Sequence, residues 1–431
     1  MTGDLSRAAD GRSAASARPD AAGPRRVLFF ILLTVALDSV GIGLLIPVVP
    51  QLIQRLTSEG LGAAAVYGGW LTASFAAAQF FAGPVLGAIS DRVGRRPVLL
   101  TSLAAFSASY LLMAAAPSLS WLFIAQLLTG TFGATPATAG AFIADVTPPQ
   151  QRTGAFGLVA AAFGTGLILG PAIGGVLSGI ELRAPFYAAA GLSLITACYG
   201  AAVLPESLRP ELRRSFSWQK ANPFGAVRSL RTAGRGIGTL LAAAFFMRVS
   251  TSTLPAVWPY FTMQQYHWTQ RQVGWSLAGY GAVTVCAQVL LLGWLNARAG
   301  TQRTAWLGLT MLLVGFIGFA SVRNPWVALP CIPLTAMGFM AGPALAGMLS
   351  VRVRAEFQGV LQGVLASING VAAVITPLAM PPIFSVFSAG VLGCVLPGAP
   401  YLCGAALAAA GVFFVLRGGR TRAGAAHAAG R

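Results

Sequence analysis

The stretch Gly87-Ala-Ile-Ser-Asp91-Arg92-Val-Gly94-Arg95-Arg96-Pro97 decides how this chain is read. Its glycines permit a tight turn with close approach of the flanking backbone. Asp91, Arg92, Arg95 and Arg96 can form charge-assisted hydrogen bonds that differ between two states. On either side lies an apolar run, about 65–88 before it and 97–116 after it. Each is near the roughly 20 residues a helix needs to cross a bilayer. A charged turn between two membrane spans is therefore the first element. A loop that only set topology would need the arginines but not the acid or the glycines around them.

Further apolar runs extend outward in both directions. Before the central stretch they fall at about 27–49, 65–88, 97–116, 119–144, 154–179 and 184–204, and after it at about 236–262, 273–296, 304–322, 326–350, 358–384 and 398–417. Within each run the backbone must be helical, because nothing else satisfies its polar groups in lipid. The totals agree: of 431 residues 56% are hydrophobic and 9% charged, where a soluble protein carries about 25% charged residues. The mean hydropathy is +0.72. A soluble enzyme, a disordered chain and a secreted disulfide scaffold are excluded. The expected fold is an all-α membrane protein of twelve transmembrane helices in two six-helix bundles. Residues 1–26 are expected to form a disordered cytoplasmic tail, 27–204 the first bundle, 205–235 a polar cytoplasmic central loop, 236–417 the second bundle and 418–431 a second cytoplasmic tail. Trp70, Trp121, Trp258, Trp294 and Trp326 lie near run ends, as an interfacial belt would. Of five scattered cysteines, Cys198, Cys286, Cys331, Cys394 and Cys403, only Cys394 and Cys403 are placed to pair, and the compartment argues against it.

Charge gives the orientation. The sequence has 29 Lys and Arg against 11 Asp and Glu, a net charge of +18. With both termini cytoplasmic, 24 of the basic residues fall on the cytoplasmic side, and Arg55, Arg183, Arg271 and Arg323 fall on the other. Arg248 lies inside a span. Cytoplasmic loops collect Lys and Arg, so the basic total is a topology signal that needs no nucleic-acid partner. The halves also repeat: Gly87–Gly94 is echoed by Gly293–Gly300 at an offset of 206, which Gly157 and Gly363 share with Pro171 and Pro377. Two bundles in parallel repeat place a substrate path between them, the architecture of secondary transporters.

The 87–97 stretch resembles the signature of the major facilitator superfamily. The resemblance implies a cytoplasmic gate latch in which Gly87, Asp91, Arg92, Gly94, Arg95 and Arg96 engage an acid at the end of span 4, here Asp145. In the second half Ala297 stands where Asp91 would repeat, so the latch is expected to be one-sided. In span 5, Gly164-Thr-Gly166-Leu-Ile-Leu-Gly170-Pro171-Ala-Ile-Gly174-Gly175 looks like the motif of the superfamily's antiporters. Glycines every four residues let a neighbouring helix approach closely, and Pro171 bends the helix. Ala36-Leu-Asp38-Ser-Val-Gly41-Ile-Gly43-Leu-Leu-Ile-Pro47-Val-Val-Pro50, the segment Gly130–Asp145 and Gly274-Trp-Ser-Leu-Ala-Gly279 are similar to the tetracycline/proton antiporters. The similarity runs from about residue 27 to 380. The chain departs from those relatives at Gln126, where they place a basic residue, and at Ser109 and Leu312, where they place acids. Neither histidine, His267 nor His427, lies within a span.

Two charges fall deep in the bilayer. Asp38 is mid-way along span 1 and Arg248 mid-way along span 7, where such groups cost roughly 2.5–3.5 kcal/mol on insertion scales. Adding the repeat offset to 38 gives 244, one helical turn before Arg248, so the two are expected to approach one another across a cavity. Asp38 would then take the coupling proton or a cationic drug centre. Gln79, Gln126, Thr138, Ser252, Trp258 and Asn369 are candidate cavity residues by position, and Met247, Met263, Met337 and Met340 could add an adaptable surface. No nucleophile–base set, metal-ligand spacing, cofactor loop or nucleotide-binding motif is found. The expectation is a bacterial inner-membrane exporter that exchanges protons for an amphipathic small-molecule drug, with tetracycline the substrate the resemblance implies. The alternatives are an exporter of another natural product, favoured by the departures, and a non-transporting membrane receptor or scaffold.

Overall fold

The structure is a computed structural model that describes residues 24–133, 135–208, 211, 213, 237–354, 357–390 and 393–429. The N-terminal tail up to residue 23, nearly all of the central loop beyond residue 208, and residues 430–431 lie outside the described residues. Every regular element among the described residues is helical. Among the described residues eleven helical segments are long and apolar enough to cross a membrane, and the shorter helices Leu119–Thr131 and Thr135–Val146 together take the place of a twelfth.

Span 1 is Pro24–Leu45, span 2 Leu61–Val93 and span 3 Arg95–Ala115. Span 4 is Leu119–Thr131 followed by Thr135–Val146, span 5 Arg152–Leu177 and span 6 Ala184–Val203. In the second half, span 7 is Ile237–Tyr266, span 8 Gln270–Ala299, span 9 Thr301–Ser321, span 10 Pro325–Ser350, span 11 Gln358–Ser388 and span 12 Ala399–Ala429. The helix of span 1 begins at Pro24, and the helix of span 12 continues to Ala429.

Three runs that looked continuous are interrupted, and proline accounts for two of the breaks. Span 4 stops at Phe132 and Gly133, where Pro136 has no N–H to offer the Phe132 carbonyl. The Gly133 carbonyl freed by the break accepts from Gln79 Nε2 at 2.9 Å. Span 10 contains a 3-10 turn at Gly338–Met340, one turn before Pro343. Span 8 holds a single π-helical stretch at Ala287–Leu291, which no residue type in the run announces. After span 1, Pro47 ends the helix and a separate short helix, Val49–Thr57, follows.

Spans 1–6 and 7–12 form two bundles. The bundles meet where span 5 packs on span 8 and span 2 on span 11. Among the described residues the meeting is confined to one end and the middle of the molecule. Going from the end opposite the 87–97 turn, a methyl group added at Gly62 would touch Ser385, one at Gly69 would collide with the Pro377 carbonyl, and one at Gly175 would lie 2.6 Å from the Gln270 carbonyl. Toward the 87–97 turn, added methyls at Gly83, Gly87, Gly154, Gly157, Gly293 and Gly359 meet nothing within 4 Å. The Gln270–Cys286 part of span 8 packs on span 5, and its Leu292–Ala299 part packs on span 9.

The apolar core follows the same division. One cluster crosses between the bundles and includes Leu44, Tyr110 and Phe186 with Phe261, Phe316 and Tyr401. Toward the 87–97 end each bundle has a core of its own, around Phe30, Phe142 and Ile143 in the first and around Leu240, Leu309 and Leu345 in the second. Among the described residues the halves are fused at one end and parted at the other.

Candidate functional site

Span 5 fixes span 1. Added methyls at Gly166 and Gly170 would lie 2.6 Å from Ser39 Cβ and 2.7 Å from Gly43 Cα, and one at Gly174 would collide with the Leu44 carbonyl. The four-residue glycine stripe therefore brings two helix backbones into direct contact from Ala36 to Leu44. On its other side span 5 meets span 8, where the Pro171 carbonyl lies against Gly274. One helix is gripped between the element that carries Asp38 and the opposite bundle.

Asp38 is 6% exposed, and its Oδ1 has no hydrogen-bond partner among the described residues. The Tyr110 ring of span 3 packs one turn away, against Gly41. Ser109, at the position where an acid was noted as missing, is buried and donates to the Ala105 carbonyl at 2.7 Å within its own helix.

Arg248 lies eleven residues into span 7 and lines a cavity of about 370 Å³ between spans 7, 8, 10 and 11. Thr251, Gln288, Gln362 and Asn369 share this cavity with it. The expected approach of Asp38 and Arg248 is not realised: no ion pair joins them among the described residues, and both Asp38 Oδ1 and Arg248 Nε are buried without partners. The Arg248 cavity is walled by second-bundle residues alone, which keeps the guanidinium on its own side.

The other cavity candidates divide. Asn369 lines the Arg248 cavity. Gln126 and Ser252 are half-buried on spans 4 and 7, while Thr138 is buried with its hydroxyl unpartnered. Gln79 is committed to the Gly133 carbonyl. Trp258 belongs neither to a cavity nor to an interfacial belt. It is 2% exposed, donates from Nε1 to Ser276 Oγ at 2.9 Å, and packs edge-on against Phe319 at 4.9 Å. Trp70, Trp121, Trp294 and Trp326 are exposed near helix ends.

The 87–97 turn is built as a charged knot. Arg95 pairs with Asp91 one helical turn before it and reaches Asp145 Oδ2 with Nε at 3.3 Å. Its Nη1 also donates to Ser90 Oγ. Gly94 makes the turn possible with φ +124°, a conformation that a side chain rarely tolerates. Arg92 is exposed. Sequence reading missed Glu206, which follows span 6. Its carboxylate accepts the backbone N–H groups of Arg95 at 2.8 Å and Arg96 at 3.3 Å, capping the start of span 3. Beside it Ser207 Oγ donates to Asp145 Oδ2 at 3.3 Å. The available signal was the polar pair Glu206-Ser207 directly after an apolar run. In the second half Gly300 keeps a positive φ of 82°, while Arg298, the repeat of Arg92, stacks over the Trp294 ring at 4.8 Å.

A family model for the Major Facilitator Superfamily matches residues 31–377 and again 240–430. The tetracycline resistance protein, class C, of Escherichia coli is 38% identical over 362 residues, which are 83% of this chain and 89% of that protein. The class G protein of Vibrio anguillarum is 36% identical, covering 82% of this chain and 89% of its own length. Among solved structures, a bacterial homolog of the human lysosomal transporter Spinster, inward-facing and occupied, superposes with a TM-score of 0.74 at 17% identity, over 92% of this chain and 97% of that one. Together with the twelve spans, the parted bundles and the charged turn, these matches show that the chain belongs to the Major Facilitator Superfamily of membrane transporters.

Proposed function

We propose that this transporter is a bacterial inner-membrane exporter that moves an amphipathic drug out of the cell in exchange for protons by alternating access. Tetracycline is the first substrate to test, because the relatives named tetracycline resistance proteins align over more than four-fifths of the chain. The observation that carries the reading is span 5, whose glycine stripe clamps the backbone around Asp38 while its other side bears on span 8. Movement of one bundle on the other is thereby passed to the one acid held in mid-membrane. With both termini cytoplasmic, the parted end faces the cytoplasm, and the form described here is the one that admits cargo from inside.

Asp38 carries the proton in this mechanism. A charged carboxylate in this position lacks a counter-charge and costs roughly 2.5–3.5 kcal/mol on insertion scales, and a bound proton removes that cost. Proton uptake and release at Asp38 then bias which of the two arrangements is stable, as coupling requires. The charged knot of Asp91, Arg95, Asp145 and Glu206 lies wholly within the first bundle, where it holds the cytoplasmic ends of spans 2, 3 and 4 as one unit.

A second reading, export of a different small molecule, is favoured by Gln126, Ser109 and Leu312, which replace charged residues of the relatives. The experiment is a susceptibility panel in a pump-deficient host, with and without a protonophore. Proton-driven drug resistance supports export, and tetracycline resistance unchanged by expression removes that substrate. No protonophore-sensitive effect on any compound would remove the coupled-exporter reading.

A further inference from the structure

We propose that the cavity around Arg248 binds the anionic group of the transported molecule, so that the cargo is an organic acid or carries an acidic function. The inference rests on the exporter reading for the arrival of a cargo at this cavity, and it names the chemical class of that cargo.

None of the described residues in its own half is an acid that could serve Arg248 as a counter-charge. From residue 212 to the C-terminus the sequence contains no Asp and a single Glu, Glu356, which falls in the connection between spans 10 and 11. Charged residues at such depth almost always pair with one another or with backbone carbonyls. Here the Arg248 side chain makes no hydrogen bond or ion pair among the described residues, and its Nε is buried without a partner. Arg248 thus forms no structural ion pair among the described residues, and the wall of the cavity holds no acid to balance its positive charge. The guanidinium presents a rigid fork of donors suited to a planar carboxylate. Around it stand neutral groups able to donate further hydrogen bonds: Thr251, Gln288, Gln362 and Asn369.

The backbone is shaped to the same spot. Gln288 sits on the π-helical stretch of span 8 and Phe339 on the 3-10 turn of span 10, and both line the cavity. Irregular backbone at membrane depth is tolerated where it is buried in protein or lines a cavity, and π-helical turns are frequent at functional sites. The cavity volume of about 370 Å³ falls in the range of about 300–1,000 Å³ typical of small-molecule sites. A cationic centre would be repelled by Arg248 and find no acid in the wall.

The test is equilibrium binding to the full-length protein in lipid nanodiscs, using 2-naphthoate and methyl 2-naphthoate as probes. They share an aromatic body and differ by the negative charge. The acid is expected to bind about ten- to hundredfold more tightly, as expected of a hydrogen bond to a charged group. Arg248→Gln should abolish that preference, and Arg248→Lys should keep part of it, retaining the charge without the fork. Equal affinity for acid and ester in the unaltered protein overturns the proposal, as does an acid preference that survives in Arg248→Gln. Should Arg248→Gln fail to fold, Asn369→Leu decides: weaker acid binding with unchanged ester binding supports the site, and unchanged acid binding overturns it. Export is read separately in vesicles. Loss of drug export with the acid preference intact removes the exporter reading and leaves the site standing.

Discussion

Asp38 and Gln79 are both polar side chains within spans, and their surroundings separate their roles. Gln79 satisfies a carbonyl that the break in span 4 sets free, so it stabilises a fixed bend. Asp38 satisfies nothing, and its Oδ1 is buried without a partner. A group left unpaired at such a cost is retained for what it does when it gains or loses a proton. Asp38→Asn keeps the size and removes the titration. The expected outcome in everted vesicles is that drug-dependent proton movement falls to the level of empty vesicles while equilibrium drug binding persists. Proton-driven uptake equal to the unaltered protein would sink the coupling role. Gln79→Leu, by contrast, should destabilise by about 1–3 kcal/mol, the cost of stranding a buried carbonyl, with coupling intact. Thermal unfolding and vesicle transport on the same preparation separate the two effects.

At the scale of elements, the glycines of span 5 do two different things. Gly166 and Gly170 face the backbone of span 1, whereas Gly157, on the same helix, faces open space. Gly170→Ala should therefore cost about 1–3 kcal/mol through overpacking, and Gly157→Ala should be neutral or slightly stabilising because alanine is the better helix former. Thermal unfolding of the purified protein checks both, and equal effects would refute the packing account. The turn between spans 2 and 3 gives a second case. The Glu206 carboxylate accepts two backbone N–H groups at the start of span 3, a cap supplied from a distant part of the chain. Glu206→Ala should cost about 1 kcal/mol, the usual value of a lost helix cap. The spans and the charged turn were legible in the sequence because apolar length and clustered charge are local signals. Glu206 was not, since it lies more than a hundred residues from the helix it caps. The π-helical stretch of span 8 was equally hidden, because nothing in Ala287–Leu291 differs from an ordinary apolar run. The same limit applies to Trp258, whose place near a run end suggested a membrane interface until its packing with Phe319 and Ser276 was known.

For the whole molecule, the repeat offset of 206 residues correctly matched the two bundles but carried no information about how far apart they stand. Asp38 and Arg248 occupy nearly equivalent positions and still do not meet, because a repeat fixes position within a bundle and leaves the angle between bundles free. That angle is set by the contacts of span 2 with span 11 and of span 5 with span 8, which run from one end to the middle. If transport requires the fused end to open, fixing it must stop turnover. Gly62 and Ser385 offer the place: a Cβ built at Gly62 lies 3.7 Å from Ser385 Cβ, within the roughly 3.5–4.5 Å span of disulfide-bonded Cβ atoms. The five native cysteines are all free thiols, so the pair Gly62→Cys and Ser385→Cys is best made with them replaced. Oxidation should form the bridge readily and abolish export, and reduction should restore it. Binding from the cytoplasmic side should survive in the bridged protein, because the parted end is untouched. If the oxidised protein exported at the rate of the reduced one, the fused end would not be a moving gate, and alternating access would have to be sought along another path.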